Sequence, residues 1–325
     1  MQALVLTDIG HPLEWQTDYH EPEPCPGEVV VSIHAAALNS RDVWISKGQY
    51  AKIRLPCILG SDGAGTLDGR PVLINPSMNW GNTTRFQSPD FEILGMPRNG
   101  TFAQRVAVPR RQVYDMPAHL TFEQAAALPL AGLTAWRTLA TRCRLRQGER
   151  VLITGIGGGV ALMAMQFALA VGAEVWATSG SPEKMARARA LGAAGGANYK
   201  DPDWAKQLKS TAGGFDVVID SGGGPGFAEL PGICNPGARI GVYGGTAGKI
   251  NGLSPQIIFW KQLSILGSTM GHRREFQTML NFVTRHKIVP VVDSVRPIPE
   301  AQHAFDRMAG GAQFGKLVVS VVGRR

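Results

Sequence analysis

Several classes of protein are excluded by what this chain lacks. It has four cysteines, Cys25, Cys57, Cys143 and Cys234, and none stand in a C-x-x-C spacing. They read as reduced thiols in a reducing compartment. No apolar run reaches 18 residues, so no membrane-spanning helix is expected. No leader pattern precedes the first strand, because the opening residues run straight into it, and the cytoplasm is the expected location. The seven histidines are dispersed, with no i,i+4 pair to hold a metal on a helix. The net charge is +8, yet the basic residues lie in small groups such as Arg110–Arg111 and Arg273–Arg274. No long basic helix or aromatic platform accompanies them, so no nucleic-acid partner is expected. The positive potential would instead draw a small anion such as a cofactor. There is no internal repeat.

Residues 151–184 are the most informative stretch. An apolar strand, Val-Leu-Ile, runs into Thr-Gly-Ile-Gly-Gly-Gly-Val, then into an apolar helix and a second strand ending at Thr178 and Ser179. Gly155, Gly157, Gly158 and Gly159 let the backbone approach a pyrophosphate, which then sits at the N-terminus of the helix beginning near Val160. The flanking strand and helix are the context that gives a glycine fingerprint meaning. An NAD site usually carries an acid at the end of the second strand, for the ribose 2′-hydroxyl. Here there are hydroxyls, Ser179 and Ser181, and an ammonium, Lys184. Nothing there repels a 2′-phosphate. A hydrogen bond from Lys184 to that charged group contributes about 1.5–3 kcal/mol, or roughly 10–150-fold in affinity. NADP(H) is therefore the expected cofactor.

At 325 residues, 40 of them glycine, the chain suits an α/β protein with many tight turns. Residues 1–121 read as β-rich, with strands at 3–7, 28–38, 58–67, 71–74 and 101–108, a short helix near 40–49 and a long loop at 75–100. Thr121-x-x-Gln124 is a capping box that opens a helix, and a further helix covers 134–142. Strands and helices then alternate to residue 268, which predicts a doubly wound parallel sheet. Mixed elements return over 269–325. The dinucleotide domain, 122–268, is thus inserted in a domain made of 1–121 and 269–325.

In this order the pieces resemble the medium-chain dehydrogenase/reductase superfamily along nearly the whole chain. The resemblance rests on Pro26-Gly27-Glu28-Val29, Ala37-Leu38-Asn39-Ser40-Arg41-Asp42, Ile58-Leu59-Gly60-Ser61-Asp62-Gly63-Ala64-Gly65 and Leu133-Thr134-Ala135. Leu191-Gly192-Ala193, Phe215-Asp216-Val217-Val218-Ile219-Asp220 and Gly315-Lys316-Leu317-Val318 add to it. It implies a Rossmann sheet inserted in a GroES-like, partly open barrel. Within the superfamily the chain is similar to the zinc-free, quinone-oxidoreductase-like branch. The catalytic zinc ligands of alcohol dehydrogenases would fall at Asn39, Ser61 and Asp62, and asparagine and serine are poor zinc ligands. Their structural zinc lobe would fall in 75–100, which has no cysteine. No metal is expected. The resemblance also implies that Lys184 and Tyr199 grip the 2′-phosphate, although Tyr199 also reads as a plain strand aromatic. It places Asn39, Thr134, Val242, Tyr243, Gly244, Gly245, Leu266, Gly267 and Ser268 along the nicotinamide end. The glycine motif runs Gly155-x-x-Gly158-x-x-Ala161.

Without a Lewis acid, reduction of a simple ketone is hard, whereas a quinone or α,β-unsaturated carbonyl spreads the developing charge. The expected reaction is NADPH-dependent hydride transfer to such a small conjugated acceptor. Tyr50 is a candidate cleft donor, with Trp44 and Trp80 as walls; each aromatic has packing as its alternative. Asp62 is either a general acid or an acceptor of backbone N–H bonds. Asn39 is expected to bond the ribose or the substrate. Competing readings are an NADP-dependent alcohol or aldehyde dehydrogenase, and a non-catalytic NADPH- or nucleic-acid-binding protein. By resemblance the protein is a homodimer joined at the edge strand near 265–269.

Overall fold

A computed structural model describes residues 1–321. It divides into two units, one made of Met1–Leu133 with the segment from Gly271 onward, the other of Thr134–Met270.

The first unit is β-rich. Its main sheet has seven strands, running Val113–Asp115, Arg70–Ile74, Asp62–Leu67, Glu28–Ala37, Lys316–Ser320 and Val292–Pro297, with Arg105–Pro109 also paired to Glu28–Ala37. A small sheet joins Glu14–Gln16, Ala3–Leu6 and Cys57–Ile58. The stretch expected as one strand over 58–67 is therefore two, each in a different sheet. Gly60 makes the break. It sits at φ +96°, and a Cβ there would stand 2.7 Å from Phe102 Cδ1 and from Thr101 Oγ1. Only glycine reaches this backbone without strain. The core beneath holds Leu6, Ile33, Leu38, Ile45, Ile58, Leu59 and Phe102, each stabilising the fold by about 1.5–3 kcal/mol. The loop over 75–100 contains a two-stranded hairpin, Ser77–Met78 with Glu92–Ile93, which period reading does not detect in pieces so short. The helix Phe122–Ala126 begins at the expected cap, with Thr121 Oγ1 accepting from Gln124 N at 3.3 Å. It packs on Glu28–Ala37 and Asp62–Leu67, so it belongs to this unit, although the sequence places the domain boundary before it.

The second unit carries six parallel strands in the order Gly195–Asn198, Glu174–Ser179, Arg150–Ile153, Phe215–Asp220, Cys234–Val242, Ser264–Gly267. Numbered along the chain this order is 3-2-1-4-5-6, the doubly wound arrangement. Its strand order reverses between Arg150–Ile153 and Phe215–Asp220, and ligands bind beyond the strand ends at such a reversal. The helix Gly159–Val171 buries Leu162, Met163, Met165 and Phe167 against the sheet and stops at Gly172, φ +86°. The helix expected over 134–142 instead runs Pro129–Trp136 and widens into a π turn over Arg137–Arg142.

Candidate active site

The glycine turn is built by the strand on either side of it. Thr154 N bonds Ile219 O at 3.0 Å and Ile156 N bonds Thr178 O at 2.8 Å. Asp220 pins the other side, accepting Thr154 Oγ1 at 2.6 Å and Gly223 N at 2.8 Å. Gly155 and Gly157 hold φ +65° and +138°. Gly158 is the N-cap of Gly159–Val171, has no side chain to cap it, and the helix has no acid in its first turn. The first N–H groups, from Gly159 and Val160 on, are left for an anion.

Around the end of Glu174–Ser179 the structure brings together the groups that the sequence named. Ser179 Oγ accepts from Ser181 N at 3.1 Å, and Ser181 Oγ caps the next helix through Lys184 N at 3.3 Å. The Lys184 side chain lies across the turn: a Cβ at Gly157 would stand 3.0 Å from its Cδ and 3.4 Å from its Nζ. Over Gly180 lie the Tyr199 hydroxyl and the Lys200 stem, 2.9 and 2.6 Å from where a Cβ would be. Tyr199 is 49% exposed, so its ring is not core packing. Lys200 escaped sequence reasoning, yet its position next to Tyr199 at a strand end was a usable signal. Nearer the middle of the sheet, Val242, Tyr243, Gly244 and Leu266 are half-buried, whereas Gly267 is exposed. Burial of the Tyr243 phenol raises its pKa, partly offset by a hydrogen bond with Ser221. Ser268 Oγ is buried with no hydrogen-bond partner, an orphaned hydroxyl that a polar ligand would satisfy. Thr134 is buried, its hydroxyl 3.8 Å from Met270 Sδ. The glycine cradle, open helix terminus and orphaned hydroxyl fit a dinucleotide.

In the first unit the structure joins Asn39 to Asp62, and adds a third group that sequence reasoning assigned no role. Lys316 Nζ donates to Asn39 Oδ1 at 2.6 Å and to Asp62 Oδ2 at 2.8 Å. Asn39 Nδ2 donates to Asp62 Oδ2 at 2.9 Å. Asp62 Oδ1 accepts the Leu130 N–H at 2.7 Å, capping the start of the helix Pro129–Trp136 with a negative charge. The Asp62 and Lys316 side chains are 0% and 4% exposed. Of the two roles open to Asp62 from sequence, this geometry matches the acceptor of backbone N–H bonds, and as a general acid it would have no access to substrate. Beside it Arg41 donates to Ser61 Oγ at 2.8 Å and to the Leu94 and Met96 carbonyls at 3.0 and 3.2 Å. The buried Asp42 carboxyl accepts Asn39 N at 2.8 Å. Burial pushes its pKa up to about 6 against the pull of Arg41.

Tyr50 is half-buried, with the Arg41 guanidinium 5.2 Å from its ring centre. Its hydroxyl has no hydrogen bond among the described residues. Trp44 is half-buried; Trp80 is buried, its Nε1 bonded to Thr83 O at 2.9 Å and its ring edge-on to Phe91. Trp80 thus packs the loop core. Cys57, Cys143 and Cys234 are buried thiols, pushed up to about 12 by desolvation, and are not thiolates at neutral pH.

Fold and site together define an oxidoreductase built around a nicotinamide-dinucleotide sheet. The chain belongs to the medium-chain dehydrogenase/reductase superfamily. It matches the model for the alcohol dehydrogenase GroES-like domain over residues 25–118 and that for zinc-binding dehydrogenases over 159–285. It is 34% identical to the zinc-type alcohol dehydrogenase-like protein YogA of Leptosphaeria maculans, over 93% of this chain and 92% of that one. Among solved structures it is similar to an NAD-dependent alcohol dehydrogenase (38% identity, TM-score 0.93, 99% of this chain and 100% of that one). It is also similar to the quinone oxidoreductase of Thermus thermophilus, whose complex with NADPH is known (30% identity, TM-score 0.83, 99% of this chain and 100% of that one).

Two of those names imply zinc, and the residues here do not fit it. Asn39 and Asp62 already hold the Lys316 ammonium, and Ser61 holds the Arg41 guanidinium. A dication would meet two fixed positive charges. Among the described residues no group of three or more His, Cys, Asp or Glu is placed to hold a metal ion. None of their helices is long and apolar enough to cross a membrane.

Proposed function

We propose that the protein is an NADPH-dependent reductase that adds hydride to a quinone or α,β-unsaturated carbonyl without a metal, in the cytoplasm, as a homodimer. The observation that carries the cofactor choice is the cluster at the end of Glu174–Ser179. Two serine hydroxyls and the Tyr199 and Lys200 side chains lie around that strand end, Lys184 lies across the glycine turn beside it, and none of these groups is a carboxylate. Lys184 and Tyr199 take the 2′-phosphate, with Lys200 beside them. The pyrophosphate lies on Gly155, Gly157, Gly158, Gly159 and Val160. Thr134, Val242, Tyr243, Gly244, Leu266, Gly267 and Ser268 orient the nicotinamide, and Asn39 and Tyr50 face the acceptor.

Bound NADPH supplies the hydride. The protein's task is to align donor and acceptor and to exclude water. With no Lewis acid fitted to the donor set, the acceptor itself must spread the developing charge, which favours conjugated carbonyls over simple ketones. The names of the relatives favour an alcohol or aldehyde dehydrogenase as the second reading. One experiment separates the two: oxidation of NADPH and NADH with 9,10-phenanthrenequinone, with and without a strong zinc chelator. Chelator-resistant turnover preferring NADPH is expected, and Tyr50→Phe should lower kcat more than cofactor affinity. Turnover abolished by chelation and restored by zinc would establish the dehydrogenase reading instead.

The dimer reading rests on an edge. Among the described residues the strand Ser264–Gly267 pairs only with Cys234–Val242, and beside it Phe259 and Trp260 are 64% and 83% exposed. A bare strand edge flanked by large apolar groups needs a cover. Sedimentation should give a dimer that Trp260→Asp weakens; a monomeric wild type would refute it.

A further inference from the structure

We infer that Lys316 is a positioning residue for the reaction: its buried ammonium orients and polarises the Asn39 amide, whose remaining N–H is offered to the acceptor's carbonyl oxygen. The inference rests on the reading of the chain as a hydride-transferring reductase.

The amide can lie only one way round. Its Oδ1 faces the Lys316 ammonium at 2.6 Å and its Nδ2 faces the Asp62 carboxylate at 2.9 Å. The Asn39 backbone is fixed as well, through its N–H to Asp42 Oδ2 at 2.8 Å. A primary amide has two N–H groups. Asp62 takes one, and no described residue takes the other. Asn39 is 7% exposed, so the residue is nearly but not wholly enclosed.

Lys316 is not needed to hold its own strand. Lys316–Ser320 already pairs with Glu28–Ala37 through Val318 with Ala37, Val319 with Ala36 and Ser320 with Ala35. An apolar side chain at 316 together with a neutral one at 62 would avoid the cost of burying two charges. What the ammonium adds is electrostatic. By drawing charge from Oδ1 it makes the remaining Nδ2–H a stronger donor, since linked hydrogen bonds polarise one another. A fixed donor of that kind, aimed where negative charge develops, acts as an oxyanion hole. The hydride brings two electrons to the acceptor's carbon, the charge appears on its oxygen, and solvent supplies the closing proton.

The test must separate this role from that of a simple counter-ion for Asp62. The double variant Lys316→Met/Asp62→Asn removes both buried charges and keeps an oxygen at 62 for the Leu130 N–H. It should melt close to the wild type and bind NADPH within about twofold of it. Its kcat for quinone reduction should fall about a hundredfold, with KM changing less. A kcat within about threefold of wild type would overturn the inference, since Lys316 would then serve only to neutralise Asp62. If the double variant does not fold, Lys316→Gln replaces it, with a neutral donor for the same two acceptors and the same expected loss. A wild type that reduces no quinone or enone would sink the proposed function alone. Lys316 is then judged by the Asn39 side-chain amide protons in a ¹⁵N-edited NMR spectrum. The proton bonded to Asp62 should be resolved and protected from exchange in the wild type and lose that protection in Lys316→Gln. An unchanged pair of resonances would overturn the inference.

Discussion

The two clusters of candidate functional residues, one in each unit, use charge in opposite ways. In the first unit Arg41, Asp42, Asp62 and Lys316 are all buried; Lys316 pairs with Asp62, and Arg41 donates to Ser61 and to the Leu94 and Met96 carbonyls. In the second unit Lys184, Tyr199 and Lys200 gather around a glycine-lined strand end with no acid among them. The first arrangement is closed and holds a shape. The second is a set of donors that suits an incoming anion. The same residue types thus serve rigidity in one half and recognition in the other.

Variants can break this contrast. Asp62→Ala should act on the closed half most strongly, because it leaves the Lys316 ammonium and the Leu130 N–H buried without a carboxylate to accept from them. Breaking such a pair costs about 3–5 kcal/mol, to be read from denaturant unfolding; a loss under about 1 kcal/mol would mean that the knot is looser than its distances imply. Asp42 gives a pH signature. Its pKa lies at about 6 in the folded protein against an ordinary 3.8, so the folded state holds the proton more tightly. The burial penalty is absent below pH 3.8, grows through the window up to about 6 and levels off above it at about 3 kcal/mol. Asp42→Asn, which keeps an acceptor for Asn39 N–H, should therefore gain stability relative to wild type between about pH 5 and pH 8. Equal differences at the two pH values would contradict the shift.

The open half should respond in binding and not in folding. Lys184→Ala is expected to weaken NADPH by roughly 10–150-fold while sparing NADH, as measured by fluorescence titration. Equal losses for both cofactors would end the 2′-phosphate assignment. Lys200→Ala, at a more exposed position, should cost NADPH affinity only about threefold. If it costs as much as Lys184→Ala, the two ammonium groups share the phosphate equally.

The same contrast explains what could be read from the sequence. The open half is local: glycine turn, Ser179, Ser181, Lys184 and Tyr199 fall within one βαβ stretch and its next strand, so spacing places them together. The closed half is not. Asn39, Asp62 and Lys316 meet across 254 and 277 residues of chain, and no periodicity links them. Lys316 stands in a matching motif, Gly315-Lys316-Leu317-Val318, without an assignable task. Arg41 is equally silent, because its acceptors include the carbonyls of Leu94 and Met96, and carbonyls leave no mark in a sequence. The loop over 75–100 hides its hairpin for a related reason. Its order comes from Gln112, whose amide bonds the Asn75 and Ser77 carbonyls, outside the loop.

The meeting of Thr134 with Met270 at 3.8 Å bears on how the chain finds this structure at all. The continuous unit Thr134–Met270 is assembled from βα segments that follow one another in the chain, so its strand pairings span less chain than the contact of Asn39 with Lys316. Once formed, it holds its own two ends together. The long chain between Asn39 and Lys316 is then short-circuited to roughly half its length, which lowers the closure entropy of that contact by about 0.6 kcal/mol. The inserted unit thus works as an internal clamp on the discontinuous one. Pulse-labelled hydrogen exchange during refolding should find amides of 150–267 protected before those of Lys316–Ser320.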